Sequence, residues 1–446
     1  MTHLKSLAFP LVAVLLVLLA WVAPSGDESP RPPSKVSITQ STYACPAGSV
    51  ISVSAGQVQP GTSRTASVLP GQEPDEALSD AAAWQSAVVD GPGVIVQQEG
   101  RTSGAAGYFA GTAPKAGGGG LVVGSCPGVV DDAWLLGLGS GDQHFSTLIL
   151  TNLADSTAAV DLDLWGPEGK IDAVDAEGVV IEPFSVRRIR LDSLAAGESE
   201  LAVHVTRRRG SVSAVANDTS TATFRGTEPV TANTGPSRDQ VVGGLVKGAA
   251  GRTLLVLNPG TTTARVDVEV IGRTTTFTPA GLEGIRVKAG SLRAVTVPKS
   301  AGAGEQALRV TSDEPVAASV RMAPTTQDFA YAEANVPLDG PTIVPVDVGT
   351  DVDAPRLHLS TPKGAASVEL EAFDADMKPL ASSTLDLEAG TTRSVSLTTR
   401  GAAYVVVTPK GDVVAAATYV DGDGISSLAL RGAPLTTLAP QVRPVD

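Results

Sequence analysis

The sequence contains one pattern three times, at a spacing close to the size of a domain. VDLDLWG at 160–166 recurs as VDVEVIG at 266–272 and as VELEAFD at 368–374. The first two copies stay aligned at an offset of 106 residues from Val160 and Val266 onward, and the third follows with small deletions. A period near one hundred residues is too long for a solenoid unit and matches the size of an autonomous domain. The repeat therefore predicts tandem domains arranged like beads on a string.

Apolar and polar residues alternate within each copy. Val160, Leu162 and Leu164 share one side of the predicted strand, and Asp161 and Asp163 share the other. This alternation indicates a strand with one buried face, which is typical of antiparallel sheets. Short strands joined by Gly, Pro, Asn and Asp turns predict an all-β fold of tandem antiparallel β-sandwiches, immunoglobulin-like or jelly-roll-like, behind an N-terminal apolar helix. The spacing leaves the strand order open.

Composition shifts and the repeats together place the domain boundaries. The predicted segments are a signal peptide or membrane anchor at 1–26, a Pro-rich spacer at 27–35, a divergent N-terminal β domain with both cysteines at 36–128, and sandwich repeats 1, 2 and 3 at 129–232, 233–339 and 340–446. Within the first domain, residues 70–89 are predicted to form a helix or an irregular insertion.

The N-terminal segment carries an export signal. A short, weakly positive start with His3 and Lys5 precedes an apolar run of 17 residues from Leu7 to Ala23. That length lies between a signal-peptide core and a bilayer span. Large residues stand two positions before Ala20 and Ala23, which is unfavourable for cleavage. We therefore expect an exported, extracellular or cell-envelope protein, and leave open whether the segment is cleaved or retained as an anchor.

The net charge is acidic. A formal charge of −14 and a pI near 4.8 give a surface that repels phosphate backbones and anionic lipid headgroups. A nucleic-acid partner is therefore not expected. The arginines at 207–209 join two apolar runs and are interpreted as a solvated hairpin turn.

The two cysteines are expected to form a disulfide bond. Both occur as Cys-Pro, at Cys45 and Cys126, in a chain predicted to be exported. A bridge between them would close a loop of about 80 residues and contribute on the order of 4 kcal/mol. The alternative, two free thiols with redox or metal chemistry, lacks a CxxC spacing and nearby histidines.

No catalytic residue or cofactor is predicted. Outside the targeting segment the histidines are His144, His204 and His358, one in each repeat. His144 lies in the GSGDQHFS turn and is the freest to act, yet no GxSxG motif accompanies it. GLGSGD at 137–142 lacks the Lys-Ser/Thr ending of a phosphate-binding loop. Structural roles are therefore expected for all three histidines.

Loop aspartates offer only a weak candidate for calcium. Asp421 and Asp423 flank a glycine, and Asp347, Asp351 and Asp353 form a second acidic loop. Oxygen ligands of this kind suit calcium outside the cell, but neither loop has the EF-hand spacing. Asp-Gly pairs are also ordinary hairpin-turn residues. No metal site is therefore predicted beyond this weak candidate.

Two tryptophans are weak candidates for ligand binding. Trp134 and Trp165 could form an aromatic surface for carbohydrate. Trp165 follows the inward-facing Leu164, so its parity places it on the outward face, and the other repeats have Ile271 and Phe373 there. A hydrophobic residue in all three copies favours a packing role, such as capping a sandwich or seating the next domain, over ligand contact.

Several motifs follow one another along most of the chain: the two Cys-Pro pairs, AWLLGLGSG, TLILTN with VDLDLWGPEG, LAVHVT and LLVLNPG. This ordered set resembles an uncharacterised family of exported actinobacterial proteins, known as a domain of unknown function. The resemblance implies an envelope or secreted location. It implies no established activity and supplies no catalytic residue.

Three functions remain as hypotheses. The first is a non-catalytic, exported cell-envelope protein that presents β-sandwiches for protein interaction or spacing, with contact to the membrane through the N-terminal segment. The second is binding of cell-wall polysaccharide, with Trp134 and Trp165 as contacts. The third is a secreted hydrolase that uses loop carboxylates, for which the sequence selects no pair.

Overall fold

The computed structural model describes most of the chain after the N-terminal segment. The described residues are 34–46, 51–58, 64–68, 74–75, 84–89, 93–99, 104–113, 119–222, 224–247, 251–323, 327–349, 352–433 and 435–438. They form β-strands, three short 3₁₀ turns and loops, without an α-helix. The predicted all-β fold is therefore confirmed. The predicted N-terminal helix, the spacer up to residue 33 and most of the predicted insertion at 70–89 lie outside the described residues.

Strand β1 (Lys35–Ser37) pairs with the last strand, β35 (Thr436–Leu438), in a separate two-stranded sheet. The first domain contains β2 (Gln40–Pro46), β3 (Ile51–Gln57), β4 (Arg64–Val68), β5 (Pro74–Asp75), β6 (Gln85–Val89), β7 (Gly93–Glu99), β8 (Ala105–Thr112) and β9 (Leu121–Ser125). Repeat 1 contains β10 (Asp132–Leu138), β11 (His144–Asn152), β12 (Ala158–Trp165), β13 (Lys170–Ile171), β14 (Val179–Ile181), β15 (Val186–Arg190), β16 (Leu201–Arg209), β17 (Val212–Thr221) and β18 (Arg225–Val230).

Repeat 2 contains β19 (Ser237–Leu245), β20 (Gly251–Asn258), β21 (Ala264–Ile271), β22 (Thr276–Phe277), β23 (Ile285–Val287), β24 (Ser291–Thr296), β25 (Gln306–Ala323) and β26 (Ala330–Asn335). Repeat 3 contains β27 (Thr342–Pro345), β28 (Arg356–Thr361), β29 (Ala366–Phe373), β30 (Pro379–Leu387), β31 (Thr391–Ser396), β32 (Tyr404–Lys410), β33 (Val414–Asp421) and β34 (Gly424–Leu430). The 3₁₀ turns are Val174–Ala176, Leu191–Ser193 and Lys299–Ala301.

All four domains share one strand order. In repeat 3 one sheet runs β27-β32-β29-β30 and the other β31-β28-β33-β34, and all pairs are antiparallel. Repeat 1 follows the same order, and in repeat 2 the long β25 serves as both the sixth and the seventh strand. The first domain runs β2-β7-β4-β5 and β6-β3-β8-β9, which is the same order again. The domain that is least repeat-like in sequence is therefore a fourth copy of the architecture.

The recurring sequence supplies the sandwich cores. Val160, Leu162 and Leu164 of β12 are buried, and the strand pairs with β16 through Leu162 opposite Val205. The aspartates between them face outward and keep that side of the sheet polar. Period-two burial of this kind requires the fixed register that the alternation predicts.

One backbone hydrogen bond recurs between consecutive repeats. The carbonyl of Gly166 accepts from the N–H of Leu292 at 3.0 Å, and the carbonyl of Gly272 accepts from the N–H of Thr392 at 2.8 Å. In both cases the turn after the third strand of one repeat, β12 or β21, meets β24 or β31 of the next repeat. β24 and β31 are the fifth strands of their repeats when the short β22 and β23 are counted together as the fourth. The final glycine of VDLDLWG and VDVEVIG therefore lies at a domain contact.

The same contact joins repeat 3 back to the first domain. The carbonyl of Ala375 accepts from the N–H of Trp84, which directly precedes the fifth strand of that domain, at 2.9 Å. The Trp84 ring stacks on Tyr404 at 5.3 Å, and the Tyr108 hydroxyl donates to the carbonyl of Ile343 at 2.8 Å. The domain contacts therefore close a ring. The expected beads-on-a-string arrangement is wrong.

Apolar side chains are buried at the other domain contacts as well. Tyr331 of repeat 2 belongs to the core cluster of repeat 1. Ile271 of repeat 2 packs in a cluster with Val414 of repeat 3, and Ala44 of the first domain packs against Leu153 of repeat 1. Each sandwich thus completes its core with residues of its neighbours, which the length of the repeat does not reveal.

The predicted disulfide is present. Cys45, in β2, is bonded to Cys126, which directly follows β9, across a separation of 81 residues. Both cysteines are buried. The bond joins the strand that enters the first domain to the segment that leaves it.

Removing the disulfide should destabilise the ring. Replacement of both residues, Cys45→Ala with Cys126→Ala, is expected to lower the free energy of unfolding by about 4 kcal/mol, because the unfolded chain regains the entropy of an open loop. Urea unfolding under oxidising conditions measures the change. An unchanged midpoint in the double variant would show that the bond does not support the fold.

Candidate functional site

The connection after the third strand differs among the repeats. In repeat 1 it forms β13 and β14, and in repeat 2 β22 and β23; each pair of short strands lies along the third strand with a gap between them. In repeat 3 the connection is the single strand β30, which pairs with β29 along its length apart from one irregularity. Repeat 3 therefore ends one sheet in a continuous edge strand of nine residues.

A carboxylate and a glycine interrupt the pairing in the first two repeats. Asp161 Oδ1 accepts from the N–H of Gly178 at 2.7 Å, and Asp267 Oδ1 accepts from the N–H of Gly284 at 2.6 Å. Both glycines have a positive φ, 62° and 60°, which favours glycine. The side chain thus takes the hydrogen bond that a ladder partner would otherwise make.

Repeat 3 lacks both the aspartate and the glycine. Glu369 stands where the other repeats have Asp, and the connecting residues 374–389 contain no glycine. Glu369 is opposite Thr384 in an uninterrupted ladder. The loss of an Asp-Gly pair accounts for the formation of β30.

The interrupted connections also fill their sandwiches. Ala176 in repeat 1 and the equivalent Leu282 in repeat 2 are buried in the cores of their domains. In repeat 3 the residue opposite the inward-facing Leu370 is Ser383, and Ala381 is opposite Ala372. Directly opposite residues share a face of the sheet, so small side chains stand here on the inner face of β30.

A slot of about 230 Å³ opens beneath β30, between the two sheets of repeat 3. No charged side chain lines it. The lining consists of aliphatic and hydroxyl side chains: Leu370, Ala372, Ala381, Ser382, Ser383, Leu385, Val395, Ser396, Leu397, Thr398, Thr399 and Val405. In repeat 1 the groove beside β14 is lined in part by charged residues, among them Asp175, Glu177 and Arg187. The repeat 3 slot is therefore suited to an uncharged occupant.

A buried polar cluster lies between repeats 1 and 2. The Asp218 carboxylate accepts from Ser146 Oγ at 2.5 Å, from the Tyr331 hydroxyl at 2.9 Å and from His144 Nε2 at 3.0 Å. Arg321 of repeat 2 makes a two-point contact with Glu200 of repeat 1 nearby. A cleft of about 260 Å³ lies over this cluster.

The cluster does not have the geometry of a hydrolase triad. In a triad the serine hydroxyl is bonded to the histidine, which the carboxylate orients. Here Ser146 donates to Asp218, and its oxygen accepts from the N–H of Gly139 at 2.8 Å. The hydroxyl is also buried. The arrangement joins two domains, and the Ser146 hydroxyl is bonded to Asp218 and not to His144.

The surroundings of His144 favour its protonated form. Its Nδ1 lies 2.8 Å from the carbonyl of Ser199 and its Nε2 lies 3.0 Å from Asp218, so both ring nitrogens face acceptors. Burial lowers the pKa of His144, but the charge and hydrogen bond of Asp218 outweigh it and raise the pKa above its usual value. The stabilisation is therefore complete below the unfolded pKa and is lost as pH rises through the folded pKa.

The two tryptophans proposed as ligand contacts are buried against each other. Trp134 is 8% exposed and Trp165 is 4% exposed, and their rings stack at 5.6 Å. The other stacking partner of Trp134 is His204, at 3.8 Å. Burial lowers the pKa of His204, although Asp132 and Asp163 oppose this. The indoles thus occupy an interior position, next to the recurring contact between domains.

The remaining predicted residues lie apart from these sites. His358 is buried, with ring nitrogens 2.7 Å from Ser394 Oγ and 2.9 Å from Thr418 Oγ1, and burial lowers its pKa to about 4. Asp421 and Asp423 are exposed in the hairpin turn between β33 and β34. Within the part of the chain that the structure describes, no group of three metal-ligating side chains occurs, and no helix is long and apolar enough to span a membrane.

Comparison with known proteins adds a family but no activity. Residues 82–398 match the sequence model of a family described as a family of unknown function, DUF5719. No curated protein matches the chain. The resemblance to a domain of unknown function is therefore confirmed.

Filling the slot should stabilise repeat 3. Ser383→Leu places a side chain like Leu282 on the inner face of β30 and is expected to raise the free energy of unfolding by about 1 kcal/mol, as cavity-filling changes commonly do. Thermal unfolding of the full chain measures it, with Thr384→Leu on the outer face as the control. A lower melting temperature for Ser383→Leu alone would contradict an empty slot.

Breaking the buried cluster should be costly and dependent on pH. Asp218→Asn removes the charge opposite His144 and places an NH₂ group among the donors of the cluster, and it is expected to lower the free energy of unfolding by about 3 kcal/mol. The loss should be largest below about pH 6.5 and shrink as pH rises and His144 loses its proton. Urea unfolding across pH tests this, with the exposed Asp142→Asn as the control. A loss that does not change with pH would argue against a charged His144.

Proposed function

Since the chain belongs to the DUF5719 family, whose function is unknown, we propose its role from its own structure: it is a non-catalytic, exported cell-envelope protein that presents repeat 3 to a partner protein. The observation that carries this proposal is the unpaired edge of β30 above an uncharged slot. An exposed edge strand offers backbone N–H and C=O groups to another chain. An extended peptide can join such an edge and place alternate side chains in a pocket.

The partner segment that fits is an extended peptide with an aliphatic side chain. The slot has no charged lining, and in repeat 2 the equivalent space holds Leu282. The described residues of β30 make no hydrogen bond to another domain. Natural proteins usually protect long edge strands with charges or proline, whereas β30 has one aspartate in its interior and its only proline at the start.

The closed ring supports a presenting role. Four domains joined by buried contacts hold the β30 edge in a fixed position on one body, so that binding costs little ordering of the protein itself. The buried disulfide is consistent with export, because such bonds persist in oxidising compartments. The apolar run at 7–23 supports attachment to, or passage through, the membrane.

The other two hypotheses have less support. Polysaccharide binding through Trp134 and Trp165 would need exposed rings, and both are buried. The hydrolase hypothesis rests on loop carboxylates, for which the sequence selects no pair, and Ser146 does not form a serine–histidine pair because it donates to Asp218. Neither hypothesis gains an observation of its own from the described residues.

Site-specific crosslinking in intact cells tests the proposal. A photo-crosslinking amino acid at Ala381, on the slot lining, should capture a protein in the full-length chain. Adding Ser383→Leu fills the slot and should reduce capture at least about tenfold. Adding Thr384→Leu on the outer face should leave capture unchanged.

Two outcomes would count against the proposal. Capture that is equal with and without Ser383→Leu would place the partner elsewhere on the surface. Adducts with polysaccharide and no protein would favour the second hypothesis.

A further inference from the structure

The eighth strands of all four domains meet at one buried junction. They are β9, β18, β26 and β34; β9, β18 and β34 are edge strands of their sheets, whereas β26 lies between β19 and β25. The N–H of Thr227 in β18 donates to the carbonyl of Gly119, next to β9, at 2.9 Å. The junction is therefore the place where the ring of domains closes on itself.

Asp328, just before β26, contacts three domains there. Its Oδ2 accepts from the N–H of Leu121 in the first domain at 2.9 Å and from the N–H of Ile425 in repeat 3 at 2.8 Å. Its Oδ1 accepts from the N–H of Phe329 at 2.9 Å. A Cβ at Gly226 of repeat 1 would lie 2.3 Å from Oδ1, so only glycine fits at that position of β18. Three N–H donors suit an ionised carboxylate.

Glu228 of repeat 1 is in a different situation. It is fully buried, and its carboxyl oxygens lie 2.8 and 3.0 Å from Ser426 Oγ of repeat 3. Ser426 Oγ also accepts from the N–H of Val123 at 3.0 Å and lies 3.0 Å from the carbonyl of Val123. The outward-facing N–H and C=O of Val123, on the edge strand β9, therefore both contact Ser426.

The hydrogen count at Ser426 favours a neutral Glu228. The serine has one hydrogen, and both the Val123 carbonyl and an ionised Glu228 would need it. One acceptor would then lose that donor in a buried place, at a cost of about 1–3 kcal/mol. A protonated Glu228 donates to Ser426, which donates to Val123, while the N–H of Ser427 donates to Glu228 at 3.3 Å. The Glu228 carboxyl, the Ser426 hydroxyl, the Val123 carbonyl and the Ser427 N–H then all have hydrogen-bond partners.

We propose that this junction is a proton-dependent lock, in which protonated Glu228 joins repeat 1 to repeat 3 and to the first domain, and loss of the proton loosens that contact. The lock concerns the ring itself and does not rest on the proposed partner. The closed form is favoured as pH falls, because protonation belongs to the joined state.

The charged groups around Glu228 also favour its protonated form. Asp328 and Glu333 face it from repeat 2, whereas β9 and β34 carry no titratable side chain and Arg225, the other charged residue of β18, is exposed. Burial and then the charge of Asp328 raise the pKa of Glu228 well above its usual range.

The two neighbouring carboxyl groups shift the same way. Burial raises the pKa of Asp328 to about 6, against its three N–H donors. Burial raises the pKa of Glu333 to about 7, although Thr231 and Arg431 oppose this. Each group therefore adds stability at low pH that is lost as pH rises through its folded pKa.

The variant Glu228→Gln separates the proton from the hydrogen bonds. Its carboxamide can donate to Ser426 and accept from Ser427, as the neutral acid does, but it cannot ionise. Between the unfolded and the folded pKa of Glu228, each unit of rising pH should lower the folding equilibrium constant of wild type by up to about tenfold relative to that of Glu228→Gln. Urea unfolding of the full chain from about pH 5 to about pH 8 measures this ratio. Glu168→Gln, on an exposed residue, is the control and should keep the wild-type dependence on pH.

A direct titration keeps the proposal testable whatever the variant does. The carboxyl ¹³C signal of Glu228 in labelled wild-type protein should titrate with a midpoint above the ordinary glutamate range. A midpoint in the ordinary glutamate range would overturn the lock. So would equal dependence on pH in wild type and Glu228→Gln, or failure of Glu228→Gln to fold.

Discussion

The fold depends on how the edges of its sheets are satisfied. An isolated sandwich leaves edge strands whose N–H and C=O groups invite uncontrolled pairing. Here the eighth strand of each domain is brought to a common centre, where Ser426 meets both backbone groups of Val123 and Asp328 accepts from the N–H groups of Leu121 and Ile425. Because these side chains come from other domains, repeats 2 and 3 protect edges of neighbouring sandwiches. The ring is thus a means of covering edges.

This requirement explains why the first domain has diverged in sequence but not in strand order. It shares contacts with both repeat 1 and repeat 3, so it closes the ring, and its Trp84 and Tyr108 fill the contact with repeat 3. The last residue of the third strand is Trp165, Ile271 or Phe373 in the three repeats. Ile271 packs with Val414 of the next repeat, whereas Trp165 stacks on Trp134 and Phe373 stacks on Tyr404 within their own repeats.

The sequence predicts the sandwiches well because their cores are local in character. Alternation in VDLDLWG and its copies reports which side of a strand is buried, and residues within about one hundred positions supply most of each core. The ring could not be predicted, because its contacts are single backbone hydrogen bonds, scattered carboxyl groups and individual apolar or aromatic side chains that leave no periodic pattern. Glu228 and Asp328 are isolated acids in polar segments, and nothing local distinguishes them from exposed ones. The slot had one signal, the absence of an Asp-Gly pair in the third copy.

The edges of repeat 3 show why that absence matters. β27 is contacted by Tyr108 through the carbonyl of Ile343, β31 is bonded through Thr392 to repeat 2, and β34 lies in the central junction. Three of its four edge strands are therefore engaged by other domains. The remaining edge, β30, is the one that the sequence altered, from an interrupted and filled connection to a continuous strand above an open slot. Repeat 3 protects its other edges with specific contacts to neighbouring domains. The open edge of β30 has a physical explanation if another chain pairs with it.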